Sequence, residues 1–380
     1  MIYFDNSATT RVFNESVNVA VKYMTEDYFN PSGAYAPAAS VERNIDGARK
    51  RLLSALGVQS GSIIFTSGAT ESNNFAIFGT IPSMRGKGTI IIGGNEHPSV
   101  FETARELEKL GFRIVIAPTL SNGCIDTSRF ASIMTPDVKL VSVMHVNNEV
   151  GAINNIPAIR SIMRTIAPNA LLHVDGVQGF LKVPFSARNC DMYSISGHKF
   201  HAPKGVGALY VANGVRISPC HIGGGQEEGL RSGTENVPGI MAMDKAIEIY
   251  LSNQREFIGN MYNVKTALAK RLSRVNDVYI NGPALEEGAP HILNVSFMGI
   301  RGEVLLHALE EKGIIVSTGS ACSAHKHGKN RVLESMGIKS DRQEGAIRFS
   351  FCPFNTVLEA EETAVKIEEL LKFLRRYRRR

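Results

Sequence analysis

With 380 residues, of which 43% are hydrophobic and 21% charged, the chain has the balance of a soluble globular protein and enough length for two domains rather than one. No apolar run approaches the roughly eighteen residues that a membrane helix needs. The opening stretch MIYFDNSATT lacks the basic start and apolar run of a signal peptide, so a cytoplasmic protein with no membrane partner is expected. The net charge of +6 lies partly in the terminal RRYRRR, which reads as a solvated tail, and no direct nucleic-acid binding is expected from it.

In chain order, apolar runs alternate with amphipathic stretches from residue 37 to about 212. The predicted strands are 62–66, 89–94, 113–117, 139–146, 170–175, 191–196 and 206–212, with helices such as 99–111 and 156–168 between them. Alternation of this kind specifies an α/β domain with a mostly parallel sheet, and continuously apolar strands imply helices on both of its faces. After residue 240 a long helical run leads into HILNVSF, a short helix, IIVST, GAIRFSF and a closing helix. The predicted organisation is a large domain over 14–255 and a smaller α+β domain over 256–380 that also takes in residues 1–13.

Five cysteines (Cys124, Cys190, Cys220, Cys322, Cys352) are scattered, odd in number and never form a CxxC, which argues against a disulfide framework or a structural zinc site. Each is expected to be a buried small hydrophobe unless its surroundings say otherwise. His145, His173, His201, His221, His291 and His307 have no paired-ligand spacing and read as core or supporting groups, His221 lying nearest the site. No metal is expected.

Polar residues gather where the strands end. In open α/β sheets ligands bind beyond the carboxyl ends of the strands, so five such endings in succession describe the rim of one site. In SGATESNN, Gly68 allows close backbone approach, and Ala69 and Thr70 open a helix whose N–H groups favour an anion. The same residues also fit an ordinary helix start capped by Thr70 or Ser67. SISGHKFHAPKG puts Lys199 just past a strand end, either as an imine-forming amine or as a surface lysine. Asp175 ends an apolar strand, where a buried carboxylate either meets a positive partner such as a protonated pyridine nitrogen or caps a loop.

Across essentially its whole length the chain resembles the cysteine desulfurases of the NifS/IscS type, fold-type-I pyridoxal-phosphate enzymes of the class-V aminotransferase family. The resemblance is carried by YFDNSATT, TSGATESNN, NEHPSV, HVNNEVG, HVDGVQ, SGHKFHAPKGVGALY, GGGQEEGLRSGTENVPGI, STGSAC and GAIRFSF. It implies that Lys199 forms the imine to pyridoxal 5'-phosphate, Asp175 pairs with the pyridine nitrogen, Gln178 bonds the phenolic oxygen and His97 stacks on the ring. Thr70, Ser196 and His198, with the Ala69–Thr70 backbone, would hold the phosphate. Thr234 would reach the phosphate of a second subunit, which makes the protein a homodimer. Asn148 and Arg348 would hold the carboxylate of L-cysteine, Arg348 through a bidentate fork.

The resemblance further implies that Cys322 takes the substrate sulfur as a persulfide and passes it to an acceptor protein, either an iron–sulfur scaffold or a thiolation enzyme. Gly319 and Gly328 bracket small residues that supply a hinge, and His325, Lys326, His327 and Lys329 favour the thiolate. Here SSGSACTS is replaced by STGSACSA, the basic HKHGKN follows, and Tyr35 stands where relatives often carry histidine. The competing readings are a selenocysteine lyase or another class-V transferase, and a non-catalytic scaffold. A transaminase has no use for a mobile thiol, and a scaffold would be expected to have lost Lys199, Cys322 or Arg348.

Overall fold

The computed structural model describes residues 1–84, 86–318 and 330–377. Its centre is a seven-stranded sheet built from β2 (Ser62–Thr66), β3 (Thr89–Gly93), β4 (Arg113–Ala117), β5 (Val138–Met144), β6 (Leu171–Asp175), β7 (Met192–Ser196) and β8 (Gly207–Val211). The order across the sheet is β2-β8-β7-β6-β5-β3-β4. From β7 to β4 all neighbours run parallel, whereas β8 runs antiparallel to both β7 and β2. The sheet is therefore mostly parallel, and each predicted strand of this region is present within a residue or two.

Strands this apolar need cover on both faces. Ile90, Ile91 and Ile92 in β3 are 0, 0 and 1% exposed, and burying each is worth about 1.5–3 kcal/mol. The two faces close as separate cores, one containing Ile91, Val141, Val143 and Val174 and the other Ile90, Ile92, Leu140 and Met192. Helix α3 (Ala69–Thr80) and α4 (Pro98–Lys109) cover the second face through Phe75, Ala76, Val100, Ala104 and Leu107. Spacings of three and four residues put such side chains on one side of a helix. Helix α6 (Ile156–Ile166) covers the first face through Ile156, Ile159 and Met163, and starts where the Asn155 side chain accepts from Ala158 N. Helices α1 (Asn14–Thr25), α2 (Ala36–Ala55) and α5 (Thr127–Ile133) contribute Tyr23, Val41, Leu52 and Phe130 to that core.

Helix α7 (Val237–Leu272) is 36 residues long and serves two cores. Its residues from Val237 to Phe257 pack under the large sheet, and those from Met261 to Leu272 pack in a second core. That second core is built on an antiparallel sheet ordered β12-β10-β9, from β9 (Val278–Asn281), β10 (Ile292–Phe297) and β12 (Ala346–Ser350). Helices α8 (Gly302–Glu311) and α11 (Val357–Leu374) cover it, α11 beginning with a Thr356/Glu359 capping box. Helices α9 (Arg331–Ser335) and α10 (Ser340–Glu344) are single turns.

The N-terminus belongs to this second core. β1 (Ile2–Tyr3) pairs in parallel with β11 (Ile314–Ile315), Asp5 bridges to Ser350, and Ile2 and Phe4 are buried there. IIVST, expected as a strand, supplies only those two residues and a bridge from Ser317 to Arg348. The chain then crosses to the large sheet, where Thr10 N and Phe13 N donate to the carbonyls of His198 and His201. No helix among the described residues is long and apolar enough to cross a membrane.

Candidate active site

Strand order reverses between β3 and β5, because β4 lies outside β3 on one side and β6 and β7 follow β5 on the other. A cavity of about 1050 Å³ opens at the carboxyl ends of these strands, where a doubly wound sheet leaves room for a ligand. The seam between β3 and β5 is tied by Glu96 Oε1, which accepts from Met144 N at 2.7 Å. Ala69, Thr70, His97, Asn148, Asp175, Gln178, Ser196, His198, Lys199 and Arg348 all line the cavity. Thr234 is exposed and does not line it, and Cys322 lies outside the described residues.

One wall is the start of α3. Gly68 precedes it at φ 148°, a backbone conformation that a side chain would strain. Neither Ser67 nor Thr70 caps the helix, contrary to the plainer expectation for this stretch. Glu71 Oε2 instead accepts from Ser67 N at 2.7 Å. The first N–H groups of a helix have no intrahelical acceptor, so those of Ala69 and Thr70 are available to an anion beside Ser196 and His198. His198 Nδ1 lies 3.2 Å from Thr9 Oγ1. Burial, followed by the charges of Lys199, Lys204 and Lys182, pushes its pKa down to about 4, so the ring is neutral at pH 7.

The floor is a polar chain that starts at Asp175, the last residue of β6. Its carboxylate is 5% exposed and accepts from Asn73 Nδ2 at 2.8 Å and from Val177 N at 3.1 Å. No lysine or arginine among the described residues forms an ion pair with it. Asn73 Nδ2 also donates to Ser99 Oγ at 2.9 Å, and Ser99 Oγ lies 2.8 Å from His97 Nδ1. His97 caps α4 by accepting from Ser99 N, which makes Nδ1 the acceptor and puts the proton of the neutral ring on Nε2. Burial lowers the His97 pKa; Asp175 opposes this and Lys199 adds to it.

Lys199 follows β7 on a single helical turn, and its Nζ donates to the carbonyls of Ser7 and Ala8, each at 2.8 Å. Gln178 Nε2 donates to the same Ser7 carbonyl at 3.1 Å. Behind Gln178, His291 Nε2 lies 3.2 Å and Lys182 Nζ 3.5 Å from its Oε1. Burial first, and then the charge of Lys199, brings the Lys182 pKa down to about 7. On the opposite side, Arg348 in β12 is 5% exposed and donates to the Asn148 carbonyl at 3.0 Å and to Asp5 Oδ1 at 2.7 Å. Its buried Nε has no acceptor among the described residues.

Several lining groups had no assigned role in the sequence. Asn73 sits one turn along α3 from Thr70, on the same helix face, so the spacing alone could have singled it out. Glu96 and Glu149 both carry raised carboxyl pKa values, chiefly through burial. Glu149 Oε2 accepts from Asn330 Nδ2 at 2.6 Å, and Arg331 stacks 3.8 Å above the Phe101 ring. Nothing local in the sequence marks Asn330 or Arg331. Some expectations need correction: of the described cysteines Cys190 is buried, Cys124 and Cys352 are half-buried and Cys220 is exposed, and His307 is exposed beside Glu310 rather than in a core. His221 also stays outside the cavity wall, 3.7 Å from the lining residue Glu71.

A group with an anionic tail and a protonated ring nitrogen fits these residues: a helix start for the anion, an acid that pairs with no basic side chain among the described residues for the nitrogen, and a lysine in the same cavity. The family model for class-V aminotransferases matches residues 2–362. A "NifS/IcsS protein homolog" of Lactobacillus delbrueckii subsp. bulgaricus is 40% identical over 375 residues, 97% of each chain. A "Cysteine desulfurase" of Nostoc sp. is 36% identical over 378 residues, 99% of this chain and 94% of that one. A solved "NIFS-LIKE PROTEIN" superposes with a TM-score of 0.92 at 38% identity, covering 98% of this chain and 99% of the other. With the match running through both cores and every strand that lines the cavity, the chain belongs to the class-V aminotransferase family, among its NifS-like cysteine desulfurase members.

Proposed function

We propose that this chain is a pyridoxal-phosphate-dependent cysteine desulfurase that converts L-cysteine to L-alanine and takes the sulfur onto Cys322. The observation that carries the reading is the convergence on one cavity of Lys199, Asp175, the α3 start and Arg348. The Ala69 and Thr70 N–H groups, with Ser196 and His198, would hold the phosphate, and Asp175 would pair with the ring nitrogen. His97 would stack on the ring, and Gln178 would bond its phenolic oxygen. When bound, pyridoxal phosphate supplies the electron sink for a carbanion at the substrate Cα.

The chain's own groups do the rest. Arg348 and Asn148 hold the substrate carboxylate, for which the buried Nε of Arg348 is an available donor. Lys199 Nζ, in its neutral form, takes the Cα proton. The Cys322 thiolate attacks the substrate sulfur, so that an S–S bond forms, the Cβ–S bond breaks, and Cβ receives the electron pair and then a proton, after which the Lys199 ammonium returns a proton to Cα. The products are alanine and a persulfide on Cys322, which passes to an acceptor protein such as an iron–sulfur scaffold or a thiolation enzyme.

Thr234 is exposed and does not line its own cavity, which supports a homodimer in which it reaches the phosphate of the second copy. Sedimentation should give twice the 41.4 kDa chain mass, and a monomer would refute this part of the reading.

The reaction is tested with two variants and L-cysteine. Lys199→Ala should lose borohydride-fixable cofactor and all turnover, and arginine should not rescue it because a guanidinium stays protonated. Cys322→Ser should bind L-cysteine yet release neither sulfide nor alanine at a useful rate, since a hydroxyl is a much weaker nucleophile at neutral pH. Alanine formed at the wild-type rate by Cys322→Ser would sink the persulfide mechanism.

A further inference from the structure

The segment that joins β8 to α7 brings a thiol and an imidazole to the first turn of α3. His221 Nδ1 lies 3.4 Å from Cys220 Sγ and 3.7 Å from Glu71 Oε1. These three donor atoms, one from each residue, all fall within 4.8 Å of one another. A tetrahedral ion with bonds of about 2.0–2.3 Å to oxygen, nitrogen and sulfur has donor–donor edges of roughly 3.3–3.6 Å. Two of the three edges are thus already within a few tenths of an ångström of coordination. Cys220 and His221 are exposed in the single chain.

The three groups differ in how firmly they are held. Glu71 is anchored, with Ser67 N on one oxygen at 2.7 Å and Arg231 Nε on the other at 2.9 Å. Burial alone would raise its pKa, but the hydrogen bonds from Arg231 and Ser67 outweigh it and keep the carboxylate ionised. The Cys220 thiol is pushed up by burial and by the Glu71 charge, so a bound ion must displace its proton. Arg231 competes for the site, because an incoming cation has to share Glu71 Oε1 with it or release it.

We propose that Glu71, Cys220 and His221 form a binding site for a single thiophilic divalent cation of the zinc type, with a fourth position open to solvent. Thiolate, imidazole and carboxylate together select zinc or cobalt(II) over magnesium or calcium. An ion held there ties the glycine-rich 220–231 segment to the first turn of α3, whose start forms the anion-binding wall of the cavity. The inference does not rest on the desulfurase reading, and its readout is metal binding alone.

The test uses the cofactor-loaded, full-length Cys322→Ser protein, which removes the other reactive thiol, titrated with cobalt(II). Tetrahedral cobalt gives intense absorption in the red, clear of the cofactor, saturating at one ion per chain and bleached by zinc. Cys220→Ala and His221→Ala should each weaken binding by at least about tenfold. Arg231→Gln should tighten it by removing the competing guanidinium from Glu71. No tetrahedral absorption in the Cys322→Ser protein, or absorption unchanged by Cys220→Ala, would overturn the proposal. Weaker binding in Arg231→Gln would remove Glu71 from the ligand set and overturn it as well.

Discussion

At Asp175 a carboxylate that is 5% exposed accepts from Asn73 and Val177 and pairs with no basic side chain among the described residues. An amide in its place keeps the shape and can still accept a hydrogen bond, but it cannot hold a pyridine nitrogen protonated. Asp175→Asn should therefore retain the bound cofactor, visible as its absorbance, while turnover of L-cysteine falls about 100-fold or more, as when a preorganised electrostatic partner is removed. Wild-type turnover in that variant would make the carboxylate structural. The residue could be found in the sequence because an acid at the end of an apolar strand is a conflict that needs explaining. Arg348 could be singled out only by the resemblance, and its two partners, Asp5 and the Asn148 carbonyl, are 343 and 200 residues away. No periodicity encodes contacts of that span.

Strands and helices were the legible scale, for a physical reason. Buried parallel strands have to be continuously apolar, and capped amphipathic helices repeat at 3.6 residues, so both write themselves into short windows of sequence. What a short window does not contain is how two backbones approach each other. Gly207 in β8 shows this: a Cβ there would lie 2.5 Å from the Ile195 carbonyl and 2.7 Å from Gly68 Cα. Both contacts are backbone atoms of the sheet and of the turn into α3, so neither can swing aside. Gly207→Ala should destabilise the fold by about 1–3 kcal/mol, as overpacking does, and should weaken cofactor retention because the displacement falls on the turn into α3, the proposed phosphate seat. Gly205→Ala, with nothing within 4 Å of its Cβ, should cost less despite its φ of +78°. Thermal melting of the two variants side by side checks this, and equal melting temperatures would show that the sheet relaxes around the methyl group. IIVST falls short of a long strand because Ile314 and Ile315 pair with the two-residue β1 and Ser317 makes an isolated bridge to Arg348.

Across the whole molecule, burial has set several imidazoles far from their ordinary titration range. His145, His173 and His201 are 2, 0 and 2% exposed, and burial brings each pKa down from 6.5 to about 4. Below pH 6.5 the unfolded chain binds protons at these rings that the folded chain refuses, so stability is full above that pH and falls as the pH drops toward 4. Each ring contributes up to about 1.4 kcal/mol per pH unit within that window. The denaturant midpoint should drop steeply between pH 6.5 and 4, and a flat profile there would mean that the rings are protonated in the fold. One further consequence concerns the order in which this chain is made. Ile2 pairs with Ile314 and Asp5 bridges to Ser350, while the Ser7 and Ala8 carbonyls next to them receive Lys199. On the ribosome the first residues emerge before any of these partners exists, and the large sheet can assemble as a unit before the last strands are synthesised. The lysine's resting place is thus completed only when the C-terminal core closes on the N-terminal segment, so a nascent or truncated chain has a sheet but no finished seat for the amine.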